Sequence, residues 1–294
     1  MMLDLKLFFK QKNALQILLY VNVAVFLFIK FLELVLVLFR LDSQWLLSYV
    51  MLPSALSVLL HKPWTLLTYM FMHANFLHLF FNMLCLLWFG RLFLNYFTQK
   101  QLMGLYLLGG VGAGLTYILA YNVFPYFSDR VDSSVLVGAS GSLMAVVLAV
   151  AMYIPNYEVN LFLIGRLKLK WIAAMMVLFS MFSITSANAG GEFAHIGGAL
   201  VGVIYIWLLK KGKDIAQPFN RVIDAIANVF KRKPKMKFRK QKHTYQPKSD
   251  AEYNQQREKN MRELDEILDK VKISGYSSLS EDEKRRLFDR SQKL

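Results

Sequence analysis

The chain has 294 residues, with 35 Lys and Arg against 20 Asp and Glu, a formal net charge of +15. Hydrophobic residues make up 55% and charged residues 19%, below the roughly 25% charged content of soluble domains, and the mean hydropathy is +0.35. With apolar runs near the ~20 residues needed to cross about 30 Å of hydrocarbon, these values exclude a soluble globular enzyme and mark a polytopic membrane protein.

Six spans are predicted. Lys6, Lys10 and Lys12 precede the first, 14–39, and no small-residue cleavage site follows, so a retained span is expected rather than a removed signal peptide. Lys30 and Glu33 sit three apart on one face of it and can pair. Residues 40–61, interrupted by Pro53, read as an interfacial loop half-sunk among headgroups. Span two, 64–89, carries His73, Asn75, His78, Asn82 and the single cysteine, Cys85, which excludes an internal disulfide framework.

Span three, 102–124, holds Gly109, Gly110, Gly112 and Gly114. No strand surrounds this cluster, so close helix packing is expected rather than a dinucleotide loop. Span four, 135–154, is stopped by Pro155-Asn156. Spans five and six follow at 171–184 and 194–209.

Positive charge sets the orientation. Arg91 and Lys100, then Arg166, Lys168 and Lys170, then Lys210, Lys211 and Lys213 fall in alternate connections with the N-terminal lysines. Both termini are therefore expected in the cytoplasm.

Beyond Lys211, residues Ile215, Phe219, Val222, Ile226 and Val229 form an amphipathic pattern suited to the inner leaflet. Eight basic residues and no acid fall in 231–242, a run suited to anionic lipid headgroups rather than nucleic acid. Met261, Leu264, Leu268 and Val271 mark a further helix, and Ser280 with Glu283 a capping box opening a last one.

The predicted topology brings polar residues of three spans to one depth. His73, His78 and Asn82 sit in the first half of span two, Ser140 about one turn into span four, and His195 at the first turn of span six, all toward the external side. Gly141 and Ala145 on span four offer a small face to Gly198-x-x-x-Gly202 on span six. Packed through these faces, His195 can act as general base for a Ser140 nucleophile. No acidic residue is an obvious third member, so a dyad is expected. Asn82, His78 and the Ser140 backbone N–H can stabilise an oxyanion. Gly138 can free backbone for that pocket. Two other readings stand at this point: packing and interface roles for the same residues, and metal binding by His73, His78 and His195, which no carboxylate or His-Glu-x-x-His pattern supports.

Gly138-Ala139-Ser140-Gly141, His73-x4-His78-x3-Asn82 and Ala194-His195-Ile196-x-Gly198-x3-Gly202 resemble the signature of rhomboid intramembrane serine proteases. The resemblance covers about 64–209. It implies a six-helix core, a Ser140/His195 dyad with His78 and Asn82 assisting the oxyanion, no cofactor and no metal, and cleavage of single-pass membrane proteins near the external face. Thr65 after Trp64, Leu94 and Met144 depart from the family's usual residues.

The resulting expectation is an all-α membrane protein. It comprises a cytoplasmic segment 1–13, a six-transmembrane-helix rhomboid-like bundle 14–210, an amphipathic helix and basic linker 211–248, and a small cytoplasmic helical segment 249–294. The expected setting is a bacterial plasma membrane, and the expected partners are transmembrane protein substrates and the lipid bilayer. The alternative is a non-catalytic rhomboid-like protein that binds membrane-protein clients.

Overall fold

The computed structural model describes residues 13–161, 165–186, 188–230 and 250–291. The basic N-terminal segment and the basic run 231–242 lie outside them. Two units form, Met1–Arg232 and Lys233–Leu294.

The first unit begins with α1 (Ala14–Leu38). Asn13 caps it: its side chain accepts the Gln16 N–H at 2.9 Å, while Gln16 Oε1 accepts the Asn13 N–H at 3.2 Å. Lys30 Nζ meets Glu33 Oε2 at 2.7 Å, the pair expected from their spacing. Leu27, Phe28, Phe31 and Leu34 are exposed on α1, as suits a helix against lipid.

Residues 40–61 hold more structure than a loop. They form α2 (Gln44–Leu47), β1 (Leu52–Pro53) and α3 (Leu56–His61). Next come α4 (Thr65–Thr68) and a 3₁₀ turn, Tyr69–Phe71. Only then does α5 (Phe76–Leu94) start, twelve residues later than the predicted span two. The cause is Asn75, whose extended backbone and side chain, accepting the His78 N–H at 2.8 Å, open the helix there. Hydropathy cannot register a cap inside an apolar run. His73 therefore lies ahead of the helix, not on it.

After α5 comes α6 (Gln99–Val123), close to the predicted span three. Its glycines pack as expected: a methyl on Gly109 would overlap Ala145, one on Gly112 would overlap Val201, and one on Gly114 would sit 2.8 Å from Leu52. A 3₁₀ turn, Pro125–Arg130, and β2 (Val135–Leu136) lead to α7 (Ser140–Tyr153). The predicted span four is thus five residues too long at its start. Leu136 pairs with Leu52 and Val135 with Pro53 in an antiparallel ladder. Gly138 then turns with φ +125°, a region natural to glycine, and its N–H reaches the Tyr69 carbonyl at 3.0 Å.

A hairpin of β3 (Glu158–Leu161) and β4 (Gly165–Lys168) precedes α8 (Leu169–Phe182). Then α9 (Ala189–Lys210) begins five residues before the predicted span six. Finally α10 (Gln217–Phe230) covers the predicted amphipathic stretch from Phe219 onward, with Ile215 ahead of it.

Among the described residues, four helices, α1, α5, α6 and α9, are long and apolar enough to cross a membrane; α7 and α8 are apolar but have 14 residues each. At 1.5 Å per residue α7 is about 21 Å long, less than the ~30 Å of hydrocarbon. Every residue of α7 from Gly141 to Ala151 is buried. It is the central helix, enclosed by α6 and α9.

Hydrogen bonds fix which helix ends lie together. Ala14 N–H donates to Gln99 Oε1 at 3.3 Å, and Lys210 Nζ to the Met152 carbonyl at 3.5 Å. Lys100 pairs with Asp224 at 2.6 Å, setting α10 beside the start of α6. At the other helix ends, Ser54 Oγ donates to the Val131 carbonyl at 2.6 Å, and Asn122 Nδ2 to the Ser54 carbonyl at 2.8 Å.

The second unit contains α11 (Asp250–Ser274), a 3₁₀ turn Tyr276–Ser278 and α12 (Glu281–Ser291). The predicted capping box forms: Ser280 N–H donates to Glu283 Oε2 at 2.7 Å, and Glu283 N–H to Ser280 Oγ at 3.3 Å. Lys270 Nζ also reaches Glu283, at 2.9 Å. The Ser280 backbone N–H first, and the Lys270 ammonium after it, hold the Glu283 carboxyl down to about 2.

Candidate active site

Ser140 is the first residue of the buried helix α7. Ala139 before it has φ −75° and ψ −10° and offers no side-chain cap. The first helical bond runs from Leu143 N–H to the Ala139 carbonyl at 3.0 Å. Amides of the first turn have no carbonyl partner within the helix, and they form the positive end of its dipole. The serine hydroxyl is thus held where negative charge is favoured.

His195 lies on the second turn of α9. The predicted small faces meet: a methyl on Gly198 would overlap the Gly141 carbonyl oxygen, and one on Gly202 would overlap the Ala145 carbonyl oxygen. Gly141 in turn leaves room for Ala113 on α6 and for the Ala194 carbonyl of α9, 3.3 Å from where its methyl would be. This backbone-to-backbone contact carries His195 to the start of α7.

A cavity of about 430 Å³ opens there, with Ser140, His195, Asn82, Met144, Ser180 and Glu192 in its walls, among apolar residues such as Phe81, Met176 and Phe179. Of the four side chains assigned a catalytic or oxyanion role, three, Ser140, His195 and Asn82, therefore share one space. Asn82 is buried, and its Nδ2 has no hydrogen-bond partner among the described residues. Leaving such a donor unmatched costs about 1–3 kcal/mol, which a ligand oxygen in the cavity would recover. No hydrogen bond joins Ser140 to His195 among the described residues; such bonds often tighten only with substrate present.

His78 faces a second cavity of about 410 Å³, lined also by Asn75, Ser134, Asn188 and Gly191. Gly138 separates it from the serine. A methyl on Gly138 would sit 2.9 Å from His78 Nε2 and 3.7 Å from Ser140 Oγ. The missing side chain thus keeps a gap between the imidazole and the hydroxyl. His73 packs edge-on against His78, ring centroids 5.2 Å apart. Neither of its buried ring nitrogens has a partner among the described residues.

Sequence reasoning missed two groups. His195 Nδ1 lies 3.0 Å from Ser180 Oγ on α8 and 3.3 Å from Glu192 Oε2 on its own helix. Glu192 falls outside the predicted span six, 194–209, whereas α9 starts at Ala189 and carries it. The signal was present: Glu192 and His195 are three apart and face each other once the helix starts at Ala189. Among the described residues, no group of three or more His, Cys, Asp or Glu is placed to hold a metal ion.

The Rhomboid domain family matches residues 60–212, more than half of the chain. The chain belongs to the rhomboid family. It is an integral, multi-pass membrane protein. Rhomboid relatives include "Presenilin-associated rhomboid-like protein A, mitochondrial" of Danio rerio, 33% identical over 140 residues, which cover 46% of this chain and 35% of the relative. "Rhomboid protease AarA" of Providencia stuartii is 27% identical over 145 residues, 46% and 52% of the two chains. "Rhomboid protein 1, mitochondrial" of Saccharomyces cerevisiae is 28% identical over 147 residues, 49% and 41% of the two. The matches span from a third to about half of these relatives' length. A family of unknown function (DUF6576) matches residues 248–293, the segment carrying α11 and α12.

Proposed function

We propose that this protein is an intramembrane serine endopeptidase that cleaves single-pass membrane proteins near the external face. One observation carries the reading: Ser140 at the start of a buried helix, His195 and the unmatched Asn82 amide all line one cavity. Ser140 Oγ attacks the scissile carbonyl, and His195 accepts its proton through Nε2, since Nδ1 faces Ser180 and Glu192. The developing oxyanion is met by the Ser140 backbone N–H and the Asn82 amide, with His78 approaching across Gly138. His195 then returns the proton to the leaving amine, and a water repeats the sequence on the acyl-enzyme.

All six apolar helices of the first unit cross the bilayer in this reading. The end shared by Ala14, Gln99, Met152 and Lys210 carries the lysines and arginines and faces the cytoplasm. The short α7 then starts below the external surface, so the cavity lies within the membrane's outer part. Both termini are cytoplasmic, in a bacterial plasma membrane. The basic run 231–242 meets anionic headgroups, and the reaction needs no cofactor.

The missing Ser140–His195 hydrogen bond favours a second reading, a non-catalytic rhomboid that binds membrane-protein clients. A fluorophosphonate probe separates the two. Labelling of the purified protein that disappears in Ser140→Ala supports the protease; no labelling of the intact protein supports the client binder.

A further inference from the structure

His195 does not stand alone with its serine. Its Nδ1 faces a carboxylate and a hydroxyl from two helices: Glu192 Oε2 at 3.3 Å and Ser180 Oγ at 3.0 Å. The second carboxylate oxygen is also engaged, since Asn188 Nδ2 donates to Glu192 Oε1 at 3.5 Å. Glu192 lies in the first turn of α9, where the helix dipole favours a negative charge. Its side chain is 15% exposed and that of His195 23%, so water competes weakly for this contact.

An ionised carboxylate can only accept. Beside Nδ1 it therefore selects the tautomer with the proton on Nδ1, and it repels the lone pair of the other. Ser180 fits the same choice: its Oγ at 3.0 Å accepts the Nδ1–H, with the Glu192 carboxylate as the charge beside it. With Nδ1 protonated, the Nε2 lone pair is the base left for the Ser140 hydroxyl.

We propose that Glu192, supported by Ser180, is a positioning residue for His195 in the Ser140–His195 dyad of this chain. The role rests on the protease reading above. Glu192 acts through His195 and not on the reacting atoms. It fixes the ring's tautomer and orientation, and it steadies the imidazolium formed as His195 takes the Ser140 proton.

The test uses the full chain in lipid with two readouts. Cleavage kinetics of a single-pass substrate are measured for the intact protein, Glu192→Gln, Glu192→Asp and Ser180→Ala. Glu192→Gln should lower kcat by about 10–100-fold with KM within about twofold, a smaller loss than a wrong tautomer causes in a serine protease built around this interaction. Glu192→Asp should recover part of the loss, because the charge returns. Ser180→Ala should lose less than Glu192→Gln. In parallel, ¹⁵N-histidine NMR, with the His195 signal identified by its loss in His195→Gln, should show Nδ1 protonated in the intact protein and a mixed state in Glu192→Gln.

Full kcat in Glu192→Gln, or an intact protein with the proton on Nε2, overturns the proposal. If the intact protein shows no Ser140-dependent cleavage, the protease reading fails, and with it the catalytic role of Glu192. The NMR result still decides whether Glu192 sets the His195 tautomer.

Discussion

Gly198→Ala tests the contact that brings the two reactive residues together. The added methyl would sit 2.8 Å from the Gly141 carbonyl carbon and would overlap its oxygen, whereas ordinary contact begins at 3.4 Å. The obstructing atoms are backbone within a wholly buried helix, so no rotamer can yield. α7 and α9 must separate by at least about 0.6 Å, from those same two distances. Forcing atoms into a packed interior costs about 1–3 kcal/mol, and displacing reacting groups by about 1 Å can cost about 10²-fold in rate. His195 lies one turn before the contact and Ser140 next to it, so the displacement acts directly on their separation. The assay pairs thermal unfolding with cleavage kinetics, using Leu200→Ala, a lipid-facing change on the same helix (Leu200 is 55% exposed), as control. Gly198→Ala should melt several degrees lower and lose at least about tenfold in kcat, with the control unchanged. A Gly198→Ala protein with wild-type melting and wild-type cleavage would refute the reasoning that this close approach builds the site.

Asn82→Ala should lower kcat by about 10²–10³-fold, the usual effect of losing one oxyanion donor, with little change in KM; steady-state cleavage kinetics check this, and an unchanged kcat removes Asn82 from the oxyanion site. Gly138→Ala places a methyl at φ +125° and 2.8 Å from His78 Cε1. It should cost about 1–3 kcal/mol and most of the activity, read by melting and cleavage; a neutral outcome would mean the Gly138 gap is not needed. Glu283 is held at about 2, below the ordinary carboxyl value of 4.5. Its contribution to the α12 cap is therefore present above pH 4.5 and is lost as pH falls toward about 2. Hydrogen exchange of 281–291, corrected for intrinsic rates, should show protection falling across that window, and Glu283→Gln should remove the dependence.

The helices were legible because hydropathy and small-residue spacing are local signals. The Gly141/Ala145 face against Gly198/Gly202 followed from small-residue spacing and the predicted topology, and it is the contact that delivers His195. The helix starts were not legible in the same way. Asn75 capping α5, Gly138 turning into α7 and Asn188 preceding α9 all lie inside or beside apolar runs, where mean hydropathy does not change. Each misplaced start moved a polar residue of the candidate site or its surroundings: His73 left its helix, Ser140 became the first residue of α7, and Glu192 entered α9. The ladder joining Leu52 to Leu136 has only two residues per strand, too short to leave an alternation pattern. It depends on a contact across more than eighty residues, which periodicity cannot report. The Ser180 contact with His195 likewise joins separate helices, and a serine in an apolar span gives no sign of its partner.

In the proposed function, Ser140 cleaves peptide bonds inside the membrane. The most direct measurement reconstitutes the purified full chain in liposomes with a labelled single-pass substrate and maps the products by mass spectrometry. The account predicts cleavage within or beside the external end of the substrate's span, abolished in Ser140→Ala while that protein folds and inserts normally. Cleavage that survives in Ser140→Ala would contradict it.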